Sequence, residues 1–106
     1  MTHEEFDKTS KRLLTKAAEV RRTKRLEYSS DEDERLSNFK TAARLNSQTV
    51  PEAVNGMMSK HVVSIADMVR DEFTRKEAPF SLEMWEEKII DNINYLMLLY
   101  AAIKER

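Results

Sequence analysis

The chain has 106 residues with 19 acidic and 18 basic side chains, one glycine, two prolines and no cysteine. Its length and near-balanced charge predict one soluble domain over residues 1–106. The lack of cysteine excludes disulfides, thiolate catalysis and Cys-ligated zinc or iron–sulfur centres. Few turn-forming residues beside plentiful Ala, Leu, Glu, Lys, Arg and Met predict an all-α fold, a small bundle of about four helices whose two long C-terminal helices form the core.

The first helix is expected from Thr2 to about Glu27, opening with Thr2 and Glu5 as a reciprocal capping box. Phe6, Leu13, Ala17 and Val20 recur at helical spacing, but Lys24 falls where that stripe would continue, so the second half has no broad apolar face and its end is expected to project. Residues 1 to 27 hold eight basic and five acidic groups, net +3, and residues 28 to 35 hold one and four, net −3. This abrupt change of sign marks residues 28–34 as an acidic linker between the basic helix, 2–27, and a motif-bearing bundle, 35–106.

Leu36, Phe39, Ala42 and Ala43 predict a short second helix over Arg35 to Leu45. Thr49 with Glu52 makes another capping box, and Pro51 stands where a missing amide hydrogen costs little. From there Val54, Met57, Met58, His61, Ile65, Met68, Val69 and Phe73 share a wide face, so a third helix should run to about Arg75 and pack centrally. Gly56 inside it costs about 1 kcal/mol relative to alanine unless close packing uses it. After the Glu77 to Phe80 connector, Ser81 can cap a last helix with acids in its opening turns and Lys104 and Arg106 at its end, the polarity a helix dipole favours. From Tyr95 onward this helix is apolar nearly all round, as expected of an element enclosed by neighbours or by a second subunit, so a homo-oligomer is expected. The longest apolar stretch, Tyr95 to Ile103, is too short to span a bilayer, and the N-terminus is charged where a secretory signal is apolar. A cytoplasmic protein without a membrane partner is the expectation.

Three polar groupings can carry chemistry. On the last helix Glu87, Asp91 and Asn94 stack along one stripe beside the apolar arc, a donor set suited to Mg²⁺ or equally to a solvated face. On the third, Lys60, Ser64, Asp67 and Asp71 form a similar series that offers a cation for phosphate and a further metal-binding carboxylate, or weak surface ion pairs. His61 sits inside the apolar stripe, where an imidazole either serves a pocket or bonds quietly within the core. Arg21, Arg22, Lys24 and Arg25 form a basic helix end able to meet phosphates or nucleic acid, although a net charge of −1 is unlike that of a duplex-binding domain.

Three ordered blocks, ERLSNFKTAARL at 34–45, MMSKHVVSIADMV at 57–69 and WEEKIIDNINYLMLL at 85–99, resemble the phage nucleotide-modification-associated helical domain, formerly a domain of unknown function. The resemblance implies a phage or prophage protein of the bacterial host cell linked to nucleotide metabolism or base modification, with no established reaction. Carried onto this chain, its polar positions are Arg35, Asn38, Lys40, Lys60, His61, Ser64, Asp67, Glu87, Asp91, Asn94 and Tyr95. A looser similarity is to the all-α nucleoside triphosphate pyrophosphatases of the MazG and dimeric dUTPase kind. Those carry a Glu and then an Asp three residues on, where this chain has Asp91 and then Asn94, and they have a paired-acid motif that it lacks.

The leading expectation is therefore a nucleotide or related phosphate ligand held in a cleft between the third and last helices. Arg35, Lys40 and Lys60 would meet phosphate, Asn38 and Asn94 the base or sugar, with His61, Ser64 and Tyr95 beside them and Mg²⁺ on Asp67, Glu87 and Asp91. Mg²⁺-dependent pyrophosphate release and a non-catalytic protein-interaction module are the alternatives.

Overall fold

The structure, a computed structural model, describes residues 1–28, 34–74 and 80–106, with the backbone alone at 26–28. Most of the acidic linker and the Glu77 to Pro79 part of the last connector lie outside the described residues. Four helices make up the fold: α1 (His3–Tyr28), α2 (Ser37–Leu45), α3 (Val50–Glu72) and α4 (Leu82–Glu105).

Local side chains set most of the helix starts. Thr2 N–H donates to Glu5 Oε2 at 2.7 Å and Glu5 N–H to Thr2 Oγ1 at 3.1 Å, which closes the first capping box. Thr49 and Glu52 close the second at 3.1 and 3.2 Å, and Ser81 Oγ accepts from Met84 N–H at 3.1 Å. α2 begins at Ser37, two residues after the start that apolar spacing predicts. Leu36 has no capping oxygen, and its own N–H instead donates to the Glu34 carboxylate at 3.1 Å.

α2 ends with Ser47 at φ 52°, Gln48 N–H donating to Ala43 O at 2.9 Å. This is the left-handed helix stop that usually employs glycine. The chain's one glycine lies elsewhere, mid-helix at Gly56, where a Cβ would meet nothing within 4 Å. No close packing offsets its backbone entropy, so Gly56→Ala is expected to raise unfolding free energy by about 0.5–1 kcal/mol, read from denaturant midpoints.

α3 and α4 form the central pair. They run antiparallel, with Asn92 Nδ2 donating to His61 O at 3.2 Å across the interface. Val54 and Met58 of α3 meet Tyr95, Leu98 and Ala102 of α4, and Leu36 and Phe39 close this core from the α2 side. Phe39 stands edge-on to Tyr95 with ring centroids 6.5 Å apart, an arrangement that suits the ring quadrupoles. α1 lies along the other flank of α4 and runs parallel to it, since Arg12 meets Glu86 and Arg21 meets Asn94. Fully buried Ala17 lets the two backbones approach. No helix among the described residues is long and apolar enough to cross a membrane.

The resulting shape is open. The radius of gyration is 16.1 Å, against about 13 Å for a compact chain of this length. The extents are 43 × 31 × 21 Å.

Candidate functional site

The polar stripe of α4 faces α1, which corrects the expectation that it faces α3. Asn94, with 9% of its surface exposed, donates through Nδ2 to Ala17 O at 3.1 Å and accepts at Oδ1 from Arg21 Nη1 at 2.9 Å. Asp91 lies between α1 and α3, 3.7 Å from Lys24 Nζ through one oxygen and 3.8 Å from His61 Nδ1 through the other. Its counter-charge comes from the α1 lysine that breaks the apolar stripe. The end of α1 therefore docks, contrary to its expected projection, and it does so through charge and hydrogen bonding where apolar area is lacking.

Nearer the start of α4, Glu86 accepts from Arg12 through both oxygens and from Lys16 Nζ at 2.9 Å. The hydrogen bond from Arg12, then that from Lys16, hold the Glu86 carboxyl down at about 2. Sequence reading assigned Glu86 only to the helix dipole. The signal for its true role was the Arg12 and Lys16 pair, one turn apart at the edge of the Leu13 and Ala17 stripe.

The remaining candidates separate into distinct places. His61 stacks on buried Tyr95, with ring centroids 4.7 Å apart and planes inclined by 30°. Lys60 is exposed on α3, Ser64 on the same helix and Asn38 on α2 are half-buried, and Glu87 is exposed. Asp67 lies 3.5 Å from Arg70 of its own helix. Asp67, Glu87 and Asp91 are not brought together, and among the described residues no three His, Asp or Glu side chains could share a metal ion. The Mg²⁺ expectation thus has no common ligand set here.

Lys40 is committed elsewhere. It donates to Glu34 at 3.0 Å and to Glu105 at 2.6 Å. The bond to Glu105 and then that to Glu34 raise the Lys40 ammonium above its usual range, while Lys40 lowers Glu34. Lys40 and Glu105, with Arg106, edge an apolar hollow of about 270 Å³ between Leu36, Val50, Pro51 and Ala102. With two carboxylates at its lysine, that hollow is a poor seat for phosphate.

Arg35 completes a different grouping. With Arg21, Lys24, Asp91, Asn94 and Tyr95 it lines a recess of about 20 Å³ at the junction of α1, α4 and the approach to α2. A space of that size holds about one water molecule and no nucleotide. Beside it, Arg21, Arg22, Arg25 and Arg35 line an open concavity of about 470 Å³ floored by Met97 and Leu98, with no carboxylate in the lining among the described residues. Sequence reading placed the three α1 arginines, with Lys24, on a basic helix end able to meet phosphates or nucleic acid, but without Arg35. Their convergence with Arg35 depends on how α1 packs and has no signature in local spacing. Set against protein-family models, curated proteins and solved structures, the chain matches none.

Proposed function

We propose that this chain is a binding protein for a phosphate-bearing ligand of the nucleotide class, which it takes on the arginine-lined concavity rather than between α3 and α4. One observation carries the reading. Four arginines from two separate segments line one open surface whose floor is apolar, with Arg22 and Arg25 exposed on it. Guanidinium groups pair with phosphate oxygens in a planar, two-point fashion, and Met97 offers a polarizable surface to a base. About 470 Å³ also falls within the range of small-molecule sites. In a phage or prophage, the setting that the sequence resemblance implies, such a protein would sequester a nucleotide or deliver it to a modifying enzyme. No catalytic residue is assigned, because the acids that hydrolysis requires are held apart.

A panel of mono-, di- and triphosphates and cyclic dinucleotides, followed by thermal shift and calorimetry, tests this. Binding should weaken with added salt and persist in chelator, since the contacts are charge-assisted and no carboxylate among the described residues lines the surface. Arg22 and Arg25 are exposed, so Arg22→Ala with Arg25→Ala should leave the fold intact. The loss of charge-assisted contacts, each contributing about 1.5–3 kcal/mol, should weaken the Kd by about tenfold or more. No shift with any nucleotide at millimolar concentration sinks the reading, and Mg²⁺-dependent pyrophosphate release would replace binding by hydrolysis.

A further inference from the structure

α1 carries more positive charge than its docking onto α4 uses. Residues 8 to 25 hold eight basic side chains and one acid, Glu19. Arg12 and Lys16 serve Glu86, Lys24 serves Asp91, and Arg21 donates to the Asn94 carbonyl. Among the described residues Lys11, Arg22 and Arg25 make no ion pair. Lys8 has only the exposed Glu4 one turn back at 3.3 Å, a contact that contributes little in water. Like charges one turn apart, Lys8 with Lys11 and Arg22 with Arg25, destabilise a helix. Nothing within the described chain offsets that repulsion, and a bound polyanion would.

The uncompensated cations are aligned. Lys8, Lys11, Thr15, Ala18, Arg22 and Arg25 follow alternating spacings of three and four, so they share the side of α1 turned away from Leu13, Ala17 and Val20. Lys8, Lys11 and Thr15 line an open concavity of about 490 Å³ that Glu19 also edges, and Ala18, Arg22 and Arg25 line the arginine concavity. The two surfaces adjoin between Thr15 and Ala18, where the side chains are small. From Lys8 to Arg25 the stripe measures about 26 Å. A single nucleotide in the arginine concavity leaves Lys8 and Lys11 without an anion, whereas a strand with a phosphate about every 3.4 Å passes all four cations.

We propose that the ligand of this surface is a single-stranded nucleic acid, its backbone running along α1 from Lys8 to Arg25 and one base entering the arginine concavity over Met97. The proposal rests on the reading of that concavity as a phosphate site and names the ligand it takes. The positive stripe is one helix wide on a chain of net charge −1, a surface for one backbone and not for the two of a duplex. The apolar floor suits the face of a base, which a single strand presents and a duplex keeps stacked. Met97 is 48% exposed, and Tyr100, one turn further along α4 and 69% exposed, offers a second stacking face.

Fluorescence anisotropy on the full chain tests this, with a labelled oligothymidylate of about 12 nucleotides, the oligouridylate of equal length, and thymidine triphosphate as competitor. Either oligonucleotide should bind at least about tenfold more tightly than the triphosphate, the preferred sugar naming DNA or RNA as the source, and its affinity should fall with salt at a log–log slope of about −3 for four neutralised phosphates. Lys8→Gln with Lys11→Gln, both exposed, should weaken oligonucleotide binding by about tenfold and flatten that slope by about 1.4, with helix content and triphosphate binding unchanged. The thymidylate annealed to its complement should bind more weakly than the free strand. A triphosphate that binds as tightly as the oligonucleotides, an oligonucleotide affinity indifferent to the two lysines, or a preference for the duplex would overturn this proposal while leaving the concavity a nucleotide site. Failure of every probe to bind at low salt would overturn both.

Discussion

Phe39→Ala is expected to cost about 4 kcal/mol of unfolding free energy, because it removes a whole aromatic side chain from a site that cannot collapse around the loss. Phe39 is 1% exposed and meets Tyr95 edge-on, so both its buried area and its ring contact disappear. For a domain of this size, whose total stability is about 5–15 kcal/mol, that is a large fraction. Denaturant unfolding followed by circular dichroism reads it directly. Phe39→Leu, which keeps most of the volume, should cost markedly less. A loss below about 1 kcal/mol for the alanine variant would mean that α2 is not anchored to the α3 and α4 pair through this residue.

The second large effect is local and depends on pH. Glu86 is held at about 2 by Arg12 and Lys16, below an ordinary value of 4.5. A carboxyl lowered on folding stabilises fully above its unfolded value, and that stabilisation disappears as pH falls through the folded one. Amide exchange in α1 should therefore accelerate between about pH 4.5 and 2 relative to exchange in the α3 and α4 core. Glu86→Gln should produce fast α1 exchange at neutral pH and remove most of this dependence. Glu34, also lowered by its bond from Lys40, gives the remaining response nearer α2. Equal protection of α1 in wild type and Glu86→Gln at pH 7 would show that Ala17 packing and the Asn94 bonds suffice to dock the helix.

These two sites differ in how readily they could be read beforehand. Phe39 lay on a predicted stripe with Leu36 and Ala43, and the buried face of α2 follows from such spacing, whereas on α3 Val54, Met58 and Met68 are buried but Met57, Val69 and Phe73 of the expected face are exposed, because α4 covers only part of that arc. Glu86 and Asn94 were legible as polar residues at the margin of an apolar helix but not as partners of α1. Charge spacing states which residues share a face, and it is silent on what that face meets. The expected convergence of Lys60 with Asp91 and Asn94 assumed that the polar edges of α3 and α4 turn toward each other. The helices instead meet through His61, Tyr95 and the Asn92 amide, leaving Lys60 outside.

By itself the sequence determined the helices, the caps at Thr2, Thr49 and Ser81, the all-α class and core members such as Ala17, Phe39, Val54 and Met58, because each depends on interactions within a few residues along the chain. Tertiary structure alone decided that Lys24 serves Asp91, that Arg35 joins the α1 arginines and that Leu96 and Tyr100 of α4 are exposed. Those outcomes depend on the relative rotation and sliding of whole helices. Many weak contacts at large sequence separation set that geometry together, and no single motif encodes it.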